Sequence, residues 1–117
     1  MQNCPQFIIS YYGILRANAV VVPINPMNLA NELEHYITDS GASTLILSQE
    51  LFDNVKPHIQ HENDQLKHVI VSCYKDYLRV HTDLKTPDIL SKPKLSLEHP
   101  KTILWSDALK LKLDTCQ

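Results

Sequence analysis

Glycine is nearly absent from this chain of 117 residues: Gly13 and Gly41 are the only two. Soluble domains carry about 7% glycine, so loops that need several are excluded first. Neither a GxGxxG nor a GxxxxGK[ST] phosphate cradle can be built from two glycines 28 positions apart. Cysteine is scarce as well. Cys4, Cys73 and Cys116 are odd in number and show no CxxC spacing. That argues against a disulfide framework or a cysteine-based zinc site, and for reduced thiols in a cytoplasmic setting. No sign of charge dominates: 11 Lys and Arg stand against 13 Asp and Glu, a net charge of −2, so there is no basic footprint for nucleic acid. Long unbroken apolar runs are missing too. Phe7 to Ile24 is the richest stretch, but Arg16, Asn18 and Pro23 interrupt it and no basic segment precedes it. Neither a transmembrane span nor a secretory signal is expected.

What is present is enough apolar material for a core, 44% of the residues, arranged in alternating periods. Pro5 suits a first helical turn, with Asn3 or Cys4 as cap. Phe7, Ile8, Tyr11, Ile14, Leu15 and Asn18 then recur at helical spacing, with Gln6, Ser10 and Gly13 opposite. The spacing predicts an amphipathic helix over 5–17 that buries the first set. Ala19-Val20-Val21-Val22 follows, apolar on both faces and ended by Pro23, the pattern of a buried parallel strand. Asn28 can cap a second helix with Leu29, Leu33, Tyr36 and Ile37 inside, stopped by Gly41 in the left-handed region. Thr44-Leu45-Ile46-Leu47 reads as the next strand. Ser48 caps a third helix carrying Leu51, Phe52, Val55 and Ile59, which Pro57 kinks or divides. His68-Val69-Ile70-Val71-Ser72 closes the series.

The order α-β-α-β-α-β implies an α/β fold, a partial parallel sheet with flanking helices and right-handed crossovers. Residues 1–78 form that α/β part, and the first helix has no strand before it. Residues 79–101, with Pro87, Pro93 and Pro100 among many polar residues, read as an extended connector. Residues 102–117 form a short terminal segment. Order returns there at Thr102-Ile103-Leu104-Trp105, and Ser106 is placed to cap a short helix whose alternating Leu109-Lys110-Leu111-Lys112-Leu113 suits helix and strand alike.

Chemistry-bearing residues do not assemble into a constellation. His58 and His61 lie at i, i+3, with Glu62 or Asp64 as the only near third ligands; a solvated helix face is the better account. His35 beside Glu32 and Asp39 reads as surface charge pairing. Cys4, Cys73 and Ser72 offer nucleophiles without a base and an orienting acid, so Cys73 reads as a small apolar filler behind a strand. Tyr11, Tyr12 and Tyr36 read as helix–sheet packing. Asp76, Asp83 and Asp88 show no paired-carboxylate pattern, and His68, His81 and His99 stand alone. No catalytic, cofactor-binding or metal-ligating residue is assigned.

One segment carries more. Gly13-Ile14-Leu15-Arg16-Ala17-Asn18-Ala19-Val20-Val21-Val22-Pro23-Ile24-Asn25-Pro26 resembles a core motif of the AMP-forming adenylating enzymes, L-[KR]-A-G-A-[VY]-[VY]-V-P-[IVL]-[ND]-P. Asn18 replaces the usual glycine, a departure that bears on how closely helix and strand approach. Gln2-Asn3-Cys4-Pro5-Gln6-Phe7 is similar to the family's N-[SC]-P-E-F. Glu32 to Ala42 with Leu45-Ile46 is similar to its next helix and strand, and Trp105-Ser106-Asp107-Ala108-Leu109 to its W-x-D-A-L. Asn25-Pro26-Met27 suits fatty-acyl-CoA ligases better than peptide-synthetase modules.

The resemblance implies a fragment of the family's large N-terminal domain, in an enzyme that activates a carboxylate with Mg-ATP and passes the acyl group to coenzyme A. It also implies that ATP, Mg and CoA are used by the full-length family and not bound by this chain alone, since no position matches the phosphate loop, the ribose-binding Asp or the catalytic Lys. The expected partner is the remainder of the ligase, or a second copy through an exposed sheet edge. Two other readings remain: a non-catalytic interaction module pairing with a separate ligase chain, and an unrelated small flavodoxin-like α/β protein.

Overall fold

The computed structural model describes residues 1–28, 30–60, 65–80 and 83–111. Leu29, His61, Glu62, Asp64, His81, Lys112, Leu113 and Cys116, all named above, lie outside the described residues. The centre is a parallel sheet of three strands. β1 (Thr44–Ser48) pairs with β2 (His68–Ser72), setting Leu45 opposite Val69 and Leu47 opposite Val71. β3 (Thr102–Leu104) pairs with the other side of β2, setting Val71 opposite Leu104. The spatial order is β1-β2-β3, with no reversal of direction. The α/β class and the parallel sheet expected from the alternating periods are therefore present.

One face of this sheet is closed by two helices, α2 (Ala30–Ser40) and α3 (Phe52–Gln60). Leu33 and Ile37 on α2, and Val55 and Ile59 on α3, are i, i+4 pairs that meet Leu47, Leu66, Val69 and Val71 in one buried cluster. Gly41 ends α2 at φ +67°, the left-handed cap its position announced. α3 runs through Pro57 without dividing, although the ring removes the N–H that would bond Asp53. The turn ahead of α3 is a 3-10 turn, Gln49–Leu51, whose cap Ser48 makes no capping bond with its side chain. A short helix α4 (Asp88–Ser91) lies between β2 and β3. α5 (Trp105–Ala108) follows β3 directly, with Leu104 rather than Ser106 at its cap.

α1 (Pro5–Arg16) has the predicted bounds within a residue, but its inward side is turned from the expected one: Gln6 is buried, Phe7, Ser10 and Ile14 are half-buried, and Gly13 is exposed. Gln6, placed outward by the periodicity, is 0% exposed, while Ile8 is 56% exposed and Tyr11, Tyr12 and Leu15 are also open. The reason is a single long-range bond: Gln6 Nε2 donates to the Cys73 carbonyl at 2.8 Å, just past the end of β2. The tyrosines therefore do not pack between helix and sheet. Tyr11 and Tyr12 touch each other edge-on at 5.7 Å, and Tyr36 is exposed on α2.

The run Ala19–Val22 also departs from expectation. It makes no strand, and Val20 is 86% exposed. A strand is defined by its ladder, and no neighbouring strand among the described residues offers one. What does form there is a helix stop. Asn18 sits at φ +57°; its N–H bonds the Leu15 carbonyl at 3.0 Å and the Ala19 N–H bonds the Ile14 carbonyl at 3.1 Å. Those two bonds are the Schellman pattern, with Asn at the position usually held by glycine. The departure from glycine is thus met by the one other residue type that visits this region readily. Asn18→Ala should lower stability by about 1 kcal/mol and Asn18→Gly should leave it unchanged or higher, because the left-handed conformation costs roughly 1–2 kcal/mol for ordinary residues. Urea midpoints of the three proteins check this.

Candidate functional site

In open parallel sheets ligands collect at the carboxyl ends of the strands, so that edge is the place to look. Here the chain's own side chains fill it. Ser48 and Ser72, the last residues of β1 and β2, are both buried. Ser72 Oγ donates to the Leu47 carbonyl at 3.1 Å, tying the two strand ends together. Ser48 Oγ donates to Glu50 Oε1 at 2.5 Å and accepts from the Tyr74 hydroxyl at 3.1 Å. The Tyr74 oxygen in turn accepts the Gln2 backbone N–H at 3.0 Å. Burial, helped by the nearby Glu50 carboxylate, raises the Tyr74 phenol above its ordinary value, against the opposing effect of its bonds with Ser48 and Gln2. This is a braid joining the N-terminal segment to both strand ends.

Two acceptors in the braid have no partner among the described residues: Gln6 Oε1 and Glu50 Oε2. Around them stand an amide, a carboxylate, two hydroxyls and a phenol. Ser48 has the Glu50 carboxylate beside it, and the Met1 ammonium, which burial holds below its ordinary value, lies near that carboxylate; the bonds of this group hold the N-terminal segment and the two strand ends in place. A different tie closes the far side. Gln49 Nε2 donates to the Pro93 carbonyl at 3.2 Å and its Oε1 accepts the Leu95 N–H at 3.2 Å. Lys94 Nζ meets Asp76 Oδ1 at 2.6 Å, and that bond raises the Lys94 ammonium above the usual lysine value. The Trp105 indole N–H donates to the Tyr77 hydroxyl at 3.3 Å. Residues 93–97 thus strap back onto the sheet, with Leu97 against the core.

The residues singled out by sequence fall as follows. Cys73 is buried and gives only its carbonyl to the site. Cys4 is half-buried beside the Met1 sulfur. His58 is not on a solvated face: it is half-buried and its Nε2 lies 2.8 Å from the Ala30 carbonyl, joining α3 to the start of α2. His35 rests against the Tyr36 ring, with centroids 6.0 Å apart. His99 organises the turn into β3 through Lys101 and Thr102. Among the described residues no three His, Cys, Asp or Glu side chains come close enough to hold a metal ion. Among the described residues the side chains that meet at the strand ends are hydroxyls, a phenol and a carboxylate, a set that does not fit a Mg-nucleotide. No helix of the described residues is long and apolar enough to cross a membrane. Gln6, Ser48 and Tyr74 were not legible as a unit, because their meeting depends on contacts 26 to 72 positions apart.

Comparison with known proteins gives a consistent picture. The family model described as AMP-binding enzyme matches residues 1–107. A long-chain-fatty-acid–CoA ligase of Bacillus subtilis (strain 168) is 34% identical over 103 residues, 87% of this chain and 18% of the relative. A protein of the same name from Salmonella typhimurium (strain LT2) is 35% identical over 78 residues, 67% of this chain and 14% of its own length. A crotonobetaine/carnitine–CoA ligase of Shigella flexneri is 28% identical over 109 residues. No solved structure matches. The chain therefore spans less than a fifth of the length of the first two relatives.

Proposed function

Because this chain belongs to the AMP-binding enzyme family, we propose that it is scaffold from the N-terminal region of an AMP-forming acid–thiol ligase, inactive alone. The reaction of the whole would join a carboxylate, a fatty acid for preference, to coenzyme A, with ATP leaving as AMP and pyrophosphate. The observation that carries this reading is the match across residues 1–107 to a family whose similar members include CoA ligases. The braid at the strand ends gives the chain its part. It fixes α1 and the two strand ends as a brace on which nucleotide-holding loops can be mounted.

The same reading assigns binding of ATP, Mg and CoA to groups outside these residues, since the chain lacks the glycines and converging donors that neutralise phosphate oxygens. The purified chain should show no micromolar ATP binding by calorimetry and no pyrophosphate exchange. Tight, stoichiometric binding overturns the proposal. A cytoplasmic setting fits the free thiols of Cys4 and Cys73.

The exposed face of α1 favours a docking role within that reading. Ile8, Ile9, Tyr12 and Leu15 form an apolar surface with no cover among the described residues. Its partner is the remainder of the ligase, in one chain or two, with self-association as the default of the isolated piece. Ile8→Ser together with Tyr12→Ser should shift sedimentation toward monomer without lowering the urea midpoint. A parent chain that is monodisperse at high concentration counts against this role.

A further inference from the structure

β1 and β2 end at Ser48 and Ser72, and the chain crosses those ends once more before it enters β3. Gln49, one residue past β1, meets the crossing segment with both atoms of its amide: Nε2 donates to the Pro93 carbonyl and Oε1 accepts the Leu95 N–H. An extended chain presents the C=O of one residue and the N–H of the next but one on the same side. A single side-chain amide therefore stands where a neighbouring strand would. Lys94, between those two groups, reaches Asp76 in the turn after β2, and only 11% of the Asp76 side chain is exposed. Asp107 and Cys73 are also near enough to act on the Lys94 ammonium. The charge thus sits at the end of β2.

This hold is a light one. Among the described residues no backbone–backbone bond ties 93–97 to a strand, and Pro93 has no N–H to give. The Lys94 side chain is 42% exposed, so salt screens its ion pair. Leu95 is exposed as well, and the apolar anchor is Leu97, packed against the core. A segment with few buried contacts and solvent-facing bonds opens far more often than the whole fold.

We propose that residues 93–96 form a releasable lid over the carboxyl ends of β1 and β2, hinged at Leu97, latched by Gln49 and by the Lys94–Asp76 pair, and opened by rising ionic strength. Opening frees the Asp76 carboxylate and the Gln49 amide together and uncovers Cys73, which is buried while the lid is shut. The lid stands apart from the ligase reading, because its readout is local opening of this chain.

The test is limited trypsin cleavage of the full chain at low salt and at about 1 M sodium chloride. Lys94–Leu95 is the bond to follow, since Pro93 protects Lys92 from the enzyme. Its initial cleavage, taken relative to cleavage after the exposed Arg79, should rise about two- to fivefold with salt. Asp76→Asn should show the higher value at both salt levels; Gln49→Ala should raise cleavage yet keep the salt dependence. Alkylation of Cys73 by iodoacetamide, resolved from the other thiols by mass spectrometry, should rise in step. Cleavage that ignores salt, or that Asp76→Asn leaves unchanged, overturns the proposal. So does faster cleavage with Cys73 alkylation unmoved, because the segment then frays without uncovering the sheet. If Asp76→Asn does not fold, amide exchange in the native chain over the same salt range replaces it. Faster exchange at Leu95 with Val71 unchanged supports the lid, and an equal change at both overturns it.

Discussion

Gln6→Ala is expected to destabilise the chain by about 2–4 kcal/mol, while Ile8→Ala on the same helix should cost under about 0.5 kcal/mol. The ranking is the reverse of what hydrophobicity suggests. Gln6 is wholly buried and spends its amide on the Cys73 carbonyl; truncation leaves a cavity and a buried carbonyl without its donor. Ile8 stands more than half in solvent, so its methyl groups lose little on removal. Urea titrations of both variants give the comparison. Protease nicking within α1 should rise in Gln6→Ala alone, since that bond ties α1 to the residue just past the end of β2. Equal midpoints for the two variants would show that α1 is held by something other than Gln6.

The contrast also shows where the sequence stops being informative. Periodicity located α1, α2 and α3 closely and found β1 and β2, because a stripe of spaced apolar residues is a local property; β3 was marked only as a return of order at Thr102–Trp105, three residues being too short to show a period. Gly41 announced its own cap for the same reason: its left-handed φ requires nothing beyond the adjoining turn. Which stripe faces inward is not local. On α2 the stripe meets a sheet face, so Leu33 and Ile37 are buried as spaced; on α1 Ile8 is exposed and Phe7 only half-buried, and the buried position is Gln6, whose polar bond reaches a residue 67 positions away. Ala19–Val22 shows the same limit. β-propensity describes fitness for a pleated surface and not possession of a neighbour. The site was even less readable, since Ser48, Glu50, Tyr74 and Gln6 form no motif and meet only once the strands are aligned.

Leu66→Ala should produce the other large effect, a loss of about 2–5 kcal/mol. Leu66 is only 2% exposed and lies in the segment that delivers the chain from α3 into β2, within the cluster shared by Leu33, Ile37, Val55, Ile59 and Val69. The backbone around it cannot collapse to fill the space. Its neighbour Gln65 donates to the Ile37 carbonyl, and the Lys67 N–H bonds the Ser43 carbonyl at 2.8 Å. With both flanks pinned, the cavity term should be retained nearly in full, which places the expected value above the middle of that range. Domains of this size hold about 5–15 kcal/mol in total, and one with a single covered sheet face sits low in that interval. The variant should therefore be partly unfolded at 37 °C, read as lost near-ultraviolet dichroism from Trp105, which packs just beyond β3. Adding Ile37→Ala should cost less than the sum of the two single changes, because both line the same space. Full additivity would mean that α2 and the 65–67 segment are separate units, and that the core described here is two smaller ones.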